Sequence, residues 1–264
     1  MSYQLIYGDC LEVMPTLESG SVDMILCDLP YGTTSCHWDS VIPFEPLWAQ
    51  YKRIIKPRGA IVLFGSQPFT SALVMSNIDW FKYEWIWKKT HATGQLNLNV
   101  RPMTEHENIC VFASGKTTYN LQMTKKPKDK IRAPTRMGMS DCYGAQREYD
   151  RTVPIDMRSP TTVLQFGSVN HGERGYHPTQ KPVDLLAYLI RTYTNEGETI
   201  LDNTTGSGST IVAAIQEGRN AIGIERDADY FAIAQQRCLE ATYQPSLFAP
   251  QPTQWEPVAM FGDD

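Results

Sequence analysis

The sequence lacks several things, and each absence closes off a class of answer. No apolar run in its 264 residues approaches the length of a membrane span. The opening Met1-Ser2-Tyr3-Gln4 has neither the basic start nor the apolar core of a signal peptide. None of the six cysteines, Cys10, Cys27, Cys36, Cys110, Cys142 and Cys238, forms a C-x-x-C pair, so reduced thiols in a cytoplasmic protein are expected, without a structural zinc. Cys36-His37 resembles half a metal site, but no second pair accompanies it. A formal net charge of -5 excludes a protein that is basic all over. No internal repeat is visible.

The charge is uneven. Residues 115–151 carry nine Lys and Arg against four Asp and Glu, a local balance of +5 in a chain whose remainder stands at -10. A basic block in an acidic protein suits contact with a polyanion at one place, as it suits a solvated loop. Lys125, Lys126, Lys128, Lys130, Arg132 and Arg136 are the candidates for that contact.

Apolar runs and helical spacings alternate along the chain. Tyr3–Tyr7, Val22–Cys27, Ala60–Phe64, Tyr83–Trp87, Asn108–Phe112, Thr199–Leu201 and Ala221–Ile224 read as strands. Leu11–Leu17, Phe44–Ile55, Pro68–Asn77, a segment from Pro182 to about Asn195, Ile211–Glu217 and Tyr230–Ala241 read as helices. Lys56-Pro57-Arg58-Gly59 reads as a break between helix and strand. The alternation predicts an α/β fold with a doubly wound, mostly parallel sheet. Periodicity is lost between Gly115 and Gly175, a stretch too long for an ordinary loop, which reads as an insertion. The expected organisation is a catalytic half over 1–114, an inserted recognition region over 115–175, a cofactor-binding half over 176–242 and an extended tail over 243–264.

Two turns carry chemistry. Asp28-Leu29-Pro30-Tyr31-Gly32 follows the Val22–Cys27 strand, at the sheet edge where open α/β folds bind ligands. Pro30 keeps Leu29 out of the helical region, so its carbonyl can point outward. Asp28 and that carbonyl suit the two N–H bonds of an exocyclic amine, and Tyr31 suits its ring. An ordinary Asp-Pro turn would look the same in isolation. The second turn, Asp202 to Thr210, runs from a strand into a helix and contains Gly206-Ser207-Gly208. Glycines let a backbone approach a ligand, and an acidic residue ending the next strand, here Glu225, commonly takes ribose hydroxyls. No lysine follows the glycines, which excludes a P-loop. A nicotinamide site remains open at this point.

Together with His177-Pro178-Thr179-Gln180-Lys181-Pro182, these motifs resemble the amino-methylating DNA methyltransferases that modify adenine N6 or cytosine N4. The catalytic tetrapeptide precedes the recognition region and the cofactor turn comes last, an order similar to the β class of that family. The resemblance covers most of residues 1–241. It implies a Rossmann-like methyltransferase fold in circularly rearranged order and S-adenosylmethionine as cofactor. It also implies double-stranded DNA as substrate, base flipping and a setting in restriction-modification. Asp28, Leu29, Pro30 and Tyr31 would be catalytic, with Asp28 also beside the cofactor. Gly206, Ser207 and Gly208 would hold the methionine part, with Asp202 near its ammonium and Thr204 in the same turn. Glu225 would take the ribose, Asp9 would lie by the adenine, and Lys181 would help fix the carboxylate.

Two positions depart from the family. Leu29 stands where Pro is usual, and Asn203-Thr204 stand where Pro-Phe is usual. The cytosine-N4 members more often carry Ser in place of Asp28, so the resemblance favours adenine. Cytosine-N4 methylation, a DNA-binding protein without turnover, and a nicotinamide-linked oxidoreductase are the alternatives.

In the tail, Gln244-x-Ser246-Leu247-Phe248 resembles the short peptide by which bacterial proteins dock on the replication sliding clamp. Packing of Leu247 and Phe248 on the protein's own sheet, or a homodimer contact, is the plainer reading.

Overall fold

A computed structural model describes residues 2–32, 39–131, 154–167 and 180–243. The strands are β1 (Tyr3–Tyr7), β2 (Val22–Cys27), β3 (Ile55–Gly65), β4 (Phe81–Thr93), β5 (Thr104–Phe112), β6 (Thr124–Lys125), β7 (Met157–Arg158), β8 (Val163–Gln165), β9 (Thr199–Asp202) and β10 (Asn220–Glu225). The α-helices are α1 (Cys10–Val13), α2 (Phe44–Ile54), α3 (Phe69–Ser76), α4 (Val183–Tyr193), α5 (Ser209–Gln216) and α6 (Ala228–Tyr243). None of these helices is long and apolar enough to cross a membrane.

Eight strands form one sheet in the order β1-β10-β9-β2-β3-β5-β4-β8, and β6 pairs with β7 apart from it. Every neighbouring pair in the large sheet is parallel except the two made by β5. The sheet is therefore mostly parallel, as the alternation of strand and helix predicts. Residues of β2 and β3 alternate between its faces. Met24, Leu26, Val62 and Phe64 pack with α4 and α5 on one side, and Ile25, Cys27, Ile61 and Leu63 pack with α2 on the other. Near-continuous burial of β2 is what a strand covered on both faces requires. Each fully buried Leu or Ile contributes roughly 1.5–3 kcal/mol of apolar transfer.

The position of β2 decides where the site lies. From β2 the chain crosses through α2 to β3 on one side, whereas β9 crosses through α5 to β10 on the other. The boundary between β2 and β9 is thus a topological switch point, where the carboxyl ends of parallel strands open a crevice.

Three elements differ from their sequence reading. Lys56–Gly59 does not interrupt β3; it bulges within it, as the register passes from Val22↔Ile55 to Met24↔Ala60. Gly59 permits this, since a Cβ there would lie 2.8 Å from the Asp23 carbonyl. The β4–β5 pair is longer than Tyr83–Trp87 and Asn108–Phe112 because cross-strand bonds extend polar segments that lack alternation. Within the stretch read as an insertion, β8 joins the main sheet beside β4. Asn120 there caps the end of α4, its side-chain amide donating to the Arg191 and Thr194 carbonyls at 3.0 and 2.9 Å. Three strand residues are too few to show a period.

Candidate active site

The parallel strands β1, β10, β9 and β2 end at one edge, and their carboxyl-terminal turns bring Asp9, Glu225, Asp202 and Asp28 to a single cleft of about 260 Å³. Leu29, Pro30, Tyr31, Lys181, Thr204, Gly206 and Ser207 line the same cleft. Gly208 does not belong to the lining. Its φ is +84°, and a Cβ would lie 3.1 Å from both Cα and Cβ of Ala234, so this glycine starts α5 and lets α6 approach.

Asp28 is held at both oxygens. Tyr31 Oη donates to Oδ1 at 2.6 Å, and Lys181 Nζ forms an ion pair with Oδ2. Burial raises the Asp28 carboxyl above its ordinary value, Lys181 partly offsets this, and Glu107 adds to it. Burial, then the charge of Asp28, lifts the Tyr31 phenol well above its usual range, so it stays protonated and donates. One face of the Tyr31 ring stacks on Phe69 at 5.0 Å between centroids.

Lys181 was expected beside a cofactor carboxylate, yet its nearest partner is Asp28. It lies just before α4, only 6% exposed, between Asp28 and Glu107 Oε2 at 3.4 Å. Burial alone would lower its ammonium; the two carboxylates hold it above the ordinary value. Glu107 also accepts from Lys89 at 2.6 Å. Burial would raise its carboxyl, but Lys181 and Lys89 hold it below the ordinary range. The sequence reading missed Glu107. It reaches the cleft because β5 runs antiparallel, so its early residues lie at the edge where β2 ends. Its signal was an acidic residue immediately before an apolar strand.

The Gly206-Ser207 turn is fixed from behind. Glu225 accepts from Gly206 N at 2.7 Å through one oxygen and from Asp227 N at 2.8 Å through the other. Arg237 of α6, also missed, is buried and donates to the Ser207 carbonyl at 2.7 Å and to its hydroxyl at 3.0 Å. Asp202 is 3% exposed and accepts from Thr204 N at 3.1 Å. Burial pushes its carboxyl up to about 6. Asp9 caps α1, accepting from Leu11 N at 2.8 Å.

The basic candidates lie elsewhere. Lys125 is in β6, Lys128 and Lys130 bound the short turn Lys128–Lys130 that follows, and Lys128 is exposed. Lys126 Nζ donates to the Ile155 carbonyl at 2.9 Å. Arg132, Arg136, His177-Pro178-Thr179, Cys36-His37 and the tail from Gln244 lie outside the described residues.

The model of the N6_N4_Mtase family, described as DNA methylase, matches residues 22–236. The type II methyltransferase M.HpaI of Haemophilus parainfluenzae is 28% identical over 254 residues, covering 90% of this chain and 74% of the relative. The type II methyltransferase M.HinfI of Haemophilus influenzae is 27% identical, covering 92% and 70%. Among solved structures, the M1.HpyAVI–SAM complex superposes with a TM-score of 0.58 at 23% identity, covering 89% of this chain and 98% of that one. The cytosine-N4-specific PvuII DNA methyltransferase gives 0.62 at 16% identity, covering 90% and 86%. These structures share the fold. With the family model spanning most of its length, this chain belongs to the N6_N4_Mtase family of DNA methylases.

Proposed function

We propose that this DNA methylase is site-specific for adenine N6, and that Asp28, Leu29, Pro30 and Tyr31 are its catalytic residues. The observation that carries the reading is the Asp28 carboxylate, at the head of the tetrapeptide and in the same cleft as the Gly206 turn. S-adenosylmethionine is the cofactor, and when bound it supplies an electrophilic methyl group. The cleft fits such a molecule. Among the described residues, Gln180 Nε2, Asn203 Nδ2 and Thr205 Oγ1 are buried in its lining without a hydrogen-bond partner. Buried groups of this kind ordinarily find partners, so their concentration here marks a polar ligand site. Asp202 would take the ammonium, the Gly206-Ser207 turn the methionine portion, Glu225 the ribose and Asp9 the adenine side.

The amine of an aromatic base is a poor nucleophile because its lone pair is delocalised into the ring. Hydrogen bonds from its two N–H groups to Asp28 and the Leu29 carbonyl favour a pyramidal nitrogen and aim the lone pair. Holding the base against the fixed turn supplies the proximity term. The surplus proton on nitrogen passes to the Asp28 carboxylate, whose raised basicity suits it to receive one. The target leaves the duplex to reach these groups, and Tyr31 replaces part of its lost stacking.

Residues 115–175 form the recognition region in this reading, between catalytic and cofactor-binding halves, with Lys125, Lys126, Lys128 and Lys130 meeting phosphates. Nucleoside mass spectrometry and methylation-aware sequencing of DNA from cells expressing the chain test the proposal. N6-methyladenine at a defined sequence is expected; N4-methylcytosine alone would overturn it.

A further inference from the structure

The β4–β5 hairpin leaves the sheet at the same edge as the site, because β4 runs parallel to β2 through the antiparallel β5. Its base touches the chemistry: Trp87 pairs with Glu107, which lines the cleft with Asp28. Thr93 is the sixth residue after Trp87, so the tip stands up to about 20 Å beyond that level at 3.3 Å per residue.

At the tip, apolar side chains face solvent. Leu96 is 101% exposed, Val100 86% and Leu98 55%. The backbone builds the tip locally: Asn97 N donates to the Gly94 carbonyl at 2.9 Å, and Val100 N and Arg101 N both donate to the Asn97 carbonyl at 2.9 Å. The apolar groups are thus presented by bonded turns. No Asp or Glu occurs from Trp85 to Thr104, while Lys88, Lys89 and Arg101 do, in a chain of net charge -5. An apolar point on a two-stranded ribbon whose tip carries Arg101 and no carboxylate, while Lys89 and Glu107 pair at its base, matches a duplex whose bases are being separated. Such a ribbon enters a groove, the cations meet phosphates, and the apolar group takes the place of a departing base.

We infer that the hairpin tip inserts Leu96, supported by Val100, into the duplex and stabilises the gap from which the target base is withdrawn. The inference rests on the base-flipping part of the proposed function. It is tested with the full-length protein, S-adenosylmethionine and a synthetic duplex carrying the site mapped by sequencing. A second duplex has an abasic position opposite the target, so that pairing is already broken. Single-turnover methylation by Leu96→Ser/Val100→Ser is expected to fall about tenfold or more on the intact duplex and less than about twofold on the abasic-partner duplex. Leu96→Phe should keep the rate on the intact duplex. Equal rates for variant and wild type, or equal losses on both duplexes, would overturn the inference. So would loss of self-association by the double variant with equal losses on both, which would make the tip a contact between copies. Failure of the wild type to methylate either duplex would instead bring down the underlying reading.

Discussion

Asp202→Asn should make the protein more stable and a poorer cofactor binder at once. Asp202 is 3% exposed, and its carboxyl stands at about 6 against an ordinary 3.8. That difference, at about 1.36 kcal/mol per pKa unit, corresponds to roughly 3 kcal/mol. Because the folded value is raised, the group's stabilising contribution is complete below about pH 4 and is lost as pH rises through about 6. At pH 8 the folded wild type therefore carries a penalty that an uncharged Asn escapes. The Asn carbonyl can still accept from Thr204 N, but its amide nitrogen disturbs the bond with Thr210, leaving an expected net gain of about 1–3 kcal/mol. Urea unfolding without cofactor measures the variant-minus-wild-type difference, which should be smaller at pH 5 than at pH 8 by about 1.4 kcal/mol. Isothermal titration with S-adenosylmethionine should show about 10- to 100-fold weaker binding by the variant, the loss of a charged hydrogen bond. A stability difference that does not move with pH would refute the electrostatic reasoning. Unchanged binding would remove Asp202 from the ammonium site.

Asp28→Ala should reduce turnover by about a thousandfold or more, since an acceptor for the reacting amine is lost; near wild-type turnover in a radiolabel-transfer assay would remove the mechanism. Tyr31→Ala should weaken capture of the flipped base by about 1–3 kcal/mol, read by fluorescence of a base analogue at the target. Lys181→Gln and Glu107→Gln should displace the acid limb of the kcat/KM profile in opposite directions. The first removes the cation that lowers the Asp28 carboxyl and moves the limb to higher pH. The second removes an anion that raises it and moves the limb to lower pH; displacement in the same direction would count against the coupling. Replacing Lys125, Lys126, Lys128 and Lys130 by Ala should flatten the salt dependence of DNA binding by about 2–3 in log–log slope, at about 0.9 per phosphate. The contribution of Lys126 is reduced by its bond to Ile155, and an unchanged slope would leave the block a solvated loop.

What was legible in the sequence follows from how locally each feature is determined. Val22–Cys27 matches β2 residue for residue because burial on both faces leaves a continuous apolar run with punctuation at each end. The two turns were legible because proline and glycine limit the backbone irrespective of context. Glu107, Arg237 and the position of Lys181 were not, since each is defined by a partner far away in the chain. Glu107 needs the antiparallel return of β5 to reach Asp28, and Arg237 needs α6 packed behind the Gly206-Ser207 turn. Gly208 has a second long-range neighbour that its motif does not reveal, since a Cβ there would meet Ala234 of α6.

The departure from the family at Asn203-Thr204 gains a physical sense from the same long-range geometry. Asn203 Oδ1 accepts from Tyr51 Oη at 2.5 Å, and its backbone N donates to Cys27 Sγ at 3.1 Å. Burial pushes the Cys27 thiol well above its ordinary value, so it keeps its single proton, within reach of Asn203 Oδ1 at 2.7 Å and of Asp202 Oδ1 at 3.2 Å. Thr204 Oγ1 donates to the Asp28 carbonyl at 3.1 Å. Proline at 203 would have no N–H for Cys27, and phenylalanine at 204 would have no hydroxyl for Asp28. The usual aromatic wall is thus exchanged for polar ties that join the end of β9 to the end of β2. These two strand ends carry the cofactor turn and the tetrapeptide, on opposite sides of the switch point. The proposed in-line attack demands that both keep a fixed separation, because a displacement of about 1 Å can cost on the order of a hundredfold in rate. In the proposed mechanism residues 203 and 204 would hold the two halves of the reaction in register while also lining the cleft.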